Sequence, residues 1–226
     1  MLSHMSLVYE TTRRWGHLPN QTLSDGTMRV ARLPETFEDY LFEFPPPATE
    51  LMISCSDRDL KMLTGMAIPA ALVDFYRVHN GCSLFCGAIS ILGLPGDVFA
   101  RASKGTAQVH NLLTRAIAPD VPAPQGRDLT IAVYDNHTHA LIRPDGTIGR
   151  VPDLRPDMVL NTWRCLDDWV LCETARLADQ FAADGTRQNA FGQSQTASGK
   201  NPKSGHRPVA ARLSGMVQRL RPRFPG

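Results

Sequence analysis

SCSDRDLKMLTGMAIPAALVDFYRVHNG, residues 54–81, sets the fold class, because it places two short helices back to back and ends the second at an Asn-Gly pair. Ser56 reads as an N-cap with Asp57 and Asp59 in the first turn, where carboxylates complement the positive end of a helix. Leu60 and Leu63 give this helix an apolar edge, and Gly65 supplies the left-handed residue that ends it. Pro69 opens the second helix, and Leu72, Val73, Phe75 and Tyr76 form its buried stripe. Asn80-Gly81 then closes it with a residue at positive φ.

Downstream the hydrophobic period changes from helical to alternating. SLF (83–85) and AISILGL (88–94) read as strands separated by a Cys-Gly turn or bulge. LTIAVY (129–134), HALIR (139–143) and TIGRV (147–151) read as an antiparallel meander, joined by tight turns at Asp135-Asn136 and Pro144-Asp145-Gly146. In NTWRCLDDWVLCETARLADQF (161–181), Asn161 or Thr162 serves as cap for a helix whose stripe is Leu166, Trp169, Val170, Leu177 and Phe181. Residues 95–128, rich in Gly, Pro and Ala, read as a long irregular connection with one short helix around Gln108 to Ala116.

Upstream, PETFEDYLFEFPPP (34–47) predicts a short amphipathic helix: Pro34 suits its start, Phe37, Tyr40, Leu41 and Phe44 recur at helical spacing, and three prolines stop it. Residues 1–33 read as a loosely ordered lead-in with one short strand at Met28 to Ala31. The expectation is an α+β domain over 34–181, an antiparallel sheet of several strands with helices packed against it. A polar, Gly- and Ser-rich tail over 182–226 is expected to be unfolded, with a short amphipathic helix at 209–220.

Body and tail carry opposite charge. Residues 1–181 hold 16 Lys and Arg against 21 Asp and Glu, net −5, whereas residues 182–226 hold 8 against 1, net +7. The arginines of VAARLSGMVQRLRPRF (209–224), set around Val209, Leu213, Met216, Val217 and Leu220, suit an anionic membrane surface, nucleic acid or an acidic partner protein; a solubilising extension is the plainer reading. No apolar run approaches the roughly 18 residues of a membrane span, and the N-terminus lacks the basic start and apolar stretch of a secretory leader. Five cysteines, an odd number, fit free thiols in a reducing cytoplasm better than a disulfide framework.

The candidates for chemistry are few. His79, Cys82 and Cys86 raise a Cys/His nucleophile, yet His79 falls in a last helical turn, where it can bond orphan carbonyls. On one strand face beside Leu84 the two thiols would stand about 13 Å apart, too far for a shared metal or a disulfide. Helix end and strand start is the reading the residues favour. Cys165 and Cys172 would lie about 10 Å apart along one helix, and no zinc-ligand spacing occurs. His137 and His139 form an HxH at a turn, where a solvated hairpin end competes with a metal site. Asp167, Asp168 and Glu173 read as a solvated helix face. Phosphate-loop, dinucleotide and nucleophile-elbow motifs are missing from the sequence, so no catalytic residue, cofactor or metal site is expected.

The order of these elements resembles the SUKH superfamily, which includes the yeast cell-wall assembly regulator and many bacterial proteins. Asp57 to Gly65, Ile68-Pro69, Ala70 to His79, Asn80-Gly81 and Ser83 to Phe85 occupy the places of that family's core, and the strands at 129–134, 140–143 and 148–151 and a closing helix from about Leu166 follow in order. Asp57 and Asp59 with Lys61 replace the glutamate often seen in the first helix, and the 95–128 connection and the basic tail are additions. The resemblance covers residues 34–181. It implies a cytoplasmic immunity-type protein that binds and occludes a cognate toxin domain, with no small-molecule substrate, or alternatively a regulatory scaffold whose tail contacts membrane, nucleic acid or an acidic partner. It marks no interface residue.

Overall fold

Thr49, ahead of Ser56, caps the first helix of the quoted stretch, and the helix is correspondingly longer than its sequence signals. In the computed structural model, which describes residues 4–34, 39–95, 111–116, 128–155 and 157–188, the elements run α1 (His4–Thr12), a 3-10 turn (Arg13–Trp15), β1 (Gln21–Thr22), β2 (Met28–Arg32) and β3 (Tyr40–Phe44). Then come α2 (Glu50–Thr64), α3 (Ala70–Tyr76), β4 (Cys82–Leu84), β5 (Ile89–Ile91) and α4 (Leu112–Ala116). β6 (Leu129–Tyr134), β7 (Thr138–Ile142), β8 (Ile148–Pro152), β9 (Asn161–Trp163) and α5 (Leu166–Ala178) complete the series.

All nine strands form one sheet in sequence order, each antiparallel to the next. Successive connections therefore alternate between the two ends of the sheet. The β2–β3, β4–β5, β6–β7 and β8–β9 connections share one, the loop end; the α2–α3 insertion between β3 and β4 and the α4 insertion between β5 and β6 leave from the other. The expected α+β class, with an antiparallel sheet and helices, is what forms.

Helix α2 starts where the proline run ends. The Thr49 hydroxyl accepts from the Met52 amide at 3.2 Å, Glu50 sits in the first turn, and Gly65 at φ 74° closes the helix. Ser56, expected as the cap, is buried in the helix interior. Asp57 instead clamps the turn to α3, accepting from the Ile68 amide at 2.8 Å and from Lys61 Nζ at 2.6 Å. The helix expected over 34–47 is a strand where it is described: Phe42 and Phe44 are buried with parallel rings 6.2 Å apart, and Glu43 pairs across to Arg29 of β2. Residues 40 and 44 share a face at either period, so pairing with β2 and β4 decides the outcome.

The N-terminal lead-in is a helix with a core role. Met5, Val8 and Trp15 are fully buried, α1 packs on α5, and the Trp15 indole donates to the Ala182 carbonyl at 2.7 Å. At the other boundary, Asn161 and Thr162 belong to edge strand β9, and α5 is capped by Cys165, whose Sγ accepts weakly from the Asp168 amide at 3.5 Å. The short helix expected at 108–116 occupies Leu112–Ala116, and residues 108–110 lie outside the described residues.

The fold continues past 181. Ala182 to Thr186 makes a three-residue turn, Gly185 at φ 85°, and Phe181 bridges to Arg187. Two hairpin turns are built the same way, at Ser24-Asp25-Gly26-Thr27 and Pro144-Asp145-Gly146-Thr147. In each of the three an aspartate oxygen accepts from the threonine amide two residues on, at 2.9, 2.9 and 3.0 Å. The tail helix expected at 209–220 lies outside the described residues.

Candidate functional site

The His79–Cys82 segment is a structural junction. Asn80 Oδ1 accepts from the Leu94 amide at 2.7 Å and its Nδ2 donates to the Leu94 carbonyl at 3.1 Å, so the residue after α3 is sewn to the residues after β5. Gly81 sits at φ 83°, and a Cβ there would lie 2.8 Å from Gly93 N and from Ile91 O, an approach open to glycine alone. His79 follows the end of α3 instead of sitting in its last turn. Its Nδ1 faces the Pro45 carbonyl at 2.8 Å, which fixes the proton on Nδ1 and leaves Nε2 to accept from the Tyr9 hydroxyl. Burial holds the imidazole below its ordinary pKa.

Burial drives the Cys82 thiol far above the ordinary thiol range, which disfavours the thiolate form. Cys86 does not share its strand face. β4 ends at Leu84, and Cys86-Gly87 are the central residues of a tight turn, both at positive φ, with the Ala88 amide donating to the Phe85 carbonyl. Phe85, also at positive φ (55°), is held there by its ring, which packs between Trp15, Phe42 and Phe181.

His137 and His139 are neither a solvated pair nor a chelate. His137 occupies the left-handed position of the β6–β7 turn and is exposed, whereas His139 is buried in β7. His139 Nε2 lies 3.0 Å from Asp153 Oδ1 and against the Arg115 guanidinium of α4, so the histidine ties α4 to the sheet. Burial first, and the Arg115 charge second, depress its pKa against the opposing pull of Asp153. Among the described residues, no group of three His, Cys, Asp or Glu side chains could hold a metal ion.

The α5 acids part company. Asp168 pairs with Arg164 at 2.6 Å on the surface, but Glu173, expected to be solvated, is buried. It accepts from Arg176 at 2.6 Å and lies 4.0 Å from Arg150, whose guanidinium stacks over Tyr134 at 4.2 Å and donates to Thr138 Oγ1 at 2.9 Å. The Trp169 indole donates to the Tyr134 hydroxyl at 2.7 Å, which completes a polar layer between α5 and the sheet. These groups fasten helix to sheet. Cys165 and Cys172 are exposed at separate positions of the helix.

Large apolar side chains stand exposed on α2 (Leu51, Met62 and Leu63), singly at Met28 and Leu171, and as a group of four in one loop at the loop end. The β8–β9 loop exposes Leu154 (87%), Met158, Val159 and Leu160. Across the same end, the β2–β3 connection, the β4–β5 turn and the 181–187 turn enclose a cavity of about 420 Å³ lined by Leu33, Pro34, Phe85, Cys86, Phe181, Gly185, Thr186 and Arg187. Sequence reasoning marked neither feature. The signal within reach was the apolar LRPDMVL run (154–160), which lacks the alternation of a strand.

The described residues define an α+β domain on a nine-stranded antiparallel meander, with a run of exposed apolar side chains in the β8–β9 loop at one sheet end and a second exposed apolar group on α2. Compared with known proteins, the chain matches no family model and no curated protein. None of the described helices is long and apolar enough to cross a membrane.

Proposed function

We propose that this chain is a non-catalytic, cytoplasmic protein-binding domain of the SUKH type, acting as an immunity protein that neutralises a toxin by covering it. The observation that carries the reading is the loop-end surface: four large apolar side chains of one loop stand exposed, next to edge strand β9. Surfaces of that kind mark interaction sites. His79, His139 and Glu173 are engaged in fastening α1, α4 and α5 to the sheet, Cys82 is buried in β4, and His137 stands apart at a turn. The body's net −5 supports it further, since an acidic surface steers toward basic partners.

The test uses the full chain as bait in a lysate of the source organism, followed by assay of the retained protein. A retained toxin domain whose activity is abolished at equimolar bait is the expected result. Retention of no protein, or a toxin domain that stays active when bound, overturns the reading. The alternative, a regulatory scaffold, draws on the net +7 of residues 182–226. It predicts partners that vanish at high salt and whose binding is insensitive to Leu154→Asp.

A further inference from the structure

We infer that the loop-end cavity is the anchor pocket of the binding surface, and that it takes a large apolar side chain flanked by basic residues of the partner. This rests on the reading of the domain as a protein-binding module and names the chemistry of what it binds. The pocket's walls are apolar: Leu33, Pro34, Phe85 and Phe181, with the last two rings 5.4 Å apart. At about 420 Å³ it has the size of a site for one compact group, so a single tryptophan, phenylalanine or leucine side chain is the scale of occupant that fits.

The rim decides the charge. The Asp39 carbonyl accepts from the amide of the lining residue Leu33 at 2.9 Å, and Asp184 precedes Gly185 in the lining turn. Asp184 is exposed, and its bonds from the Thr186 amide and hydroxyl hold its carboxyl below the usual range, so it remains charged. Arg187 is the one basic residue in the lining, and Asp135 engages it at 2.6 Å. Asp135 offsets Arg187, Arg14 reaches the Phe181 carbonyl at 3.0 Å, and with Asp39 and Asp184 these five side chains beside the lining carry one negative charge in excess. An anionic ligand meets net repulsion there, whereas a cationic flank finds partners on two sides. Phe85 adds weight: a bulky residue held at positive φ shapes the wall, and such strain persists where the surroundings over-determine it.

The test is titration of the isotope-labelled full chain with three blocked pentapeptides, read by amide NMR shifts. One has a central tryptophan between pairs of lysines, one replaces the tryptophan by alanine, and one replaces the lysines by glutamates. Saturable shifts at Leu33, Phe85, Cys86, Phe181 and Arg187 with the first peptide alone are expected. Asp39→Lys combined with Asp184→Asn, which keeps an acceptor for Thr186, weakens that binding about five-fold or more. Leu51→Asp on α2 leaves it unchanged, and unaltered melting temperatures show that both variants fold. Equal binding of the acidic or alanine peptide, scattered shifts, or no response overturns the assignment. If the peptides fail while the full chain still retains a protein partner, the pocket is wrong and the binding reading stands; if it retains none, the reading itself has failed.

Discussion

Cys82 and His79 stand three residues apart and look, as a string, like a thiol beside its base; each has instead been given to the core. A thiol reagent applied to the native protein should label Cys86, Cys165 and Cys172, with Cys82 modified only after unfolding, as peptide mapping will show. Native labelling of Cys82 would contradict its burial. The buried histidines make a second expectation. His79 and His139 have depressed pKa values in the folded chain, so below the unfolded value of about 6.5 the unfolded state takes up protons that the folded state refuses. Their effect on stability is absent above that pH and becomes a loss as pH falls toward about 5, at no more than about 1.4 kcal/mol per pH unit for each. Denaturant melts at the two pH values check this, and His79→Gln should flatten the slope; stability that rises on acidification would contradict it. Gly81→Val should cost about 3 kcal/mol or more, because strain at φ 83° adds to overlap with Gly93 and Ile91, and an unchanged melting temperature would remove the glycine from that role.

At the scale of elements, the helix α1 shows what local pattern conceals. Its buried residues Met5 and Val8, and Trp15 of the 3-10 turn that follows, are spaced three and seven apart in a segment with no firm apolar stripe, so the sequence reads as a lead-in. Packing on α5, together with Trp15 against Phe42 and Phe85, supplies what propensity does not. Trp15→Ala is therefore expected to destabilise the whole domain by about 3–5 kcal/mol, seen as one cooperative transition at lower denaturant. A loss below about 1 kcal/mol would return the segment to the status of an appendage. The α2–α3 unit, by contrast, is legible through Gly65 and Pro69, whereas its start lies at Thr49, ahead of Ser56, and α3 ends at Tyr76, short of Asn80-Gly81. Ser56 offered a cap signal as good as that of Thr49, and burial of the Ser56 side chain is a tertiary fact. β3 reads as a helix because Tyr40 and Phe44 satisfy both periods, and Asp-Gly-Thr at 184–186 reads as linker although the same triplet closes two hairpins earlier in the chain.

For the whole molecule, a meander in sequence order makes two edges, β1 at one side and β9 at the other. Amide exchange should be slowest in β6, β7 and β8, which are paired on both sides and buried, and faster by orders of magnitude in β1 and β9. Protection of β9 equal to that of β7 would mean that something covers its edge. The same topology gathers alternate loops at one end, and this brings Leu154, the cavity by Phe85 and the aspartates 39, 135 and 184 to one side of the protein. The sequence by itself determined the class: the change from helical to alternating period, the turn residues and the Asn-Gly junction are local, and local chemistry dictates them. Only the tertiary structure decided which polar residues became core and which apolar ones stayed outside. Glu173, His139 and Cys82 vanish from the surface, and Leu154 and Met158 remain on it, because burial depends on contacts between segments far apart in sequence, which no window of a single chain contains.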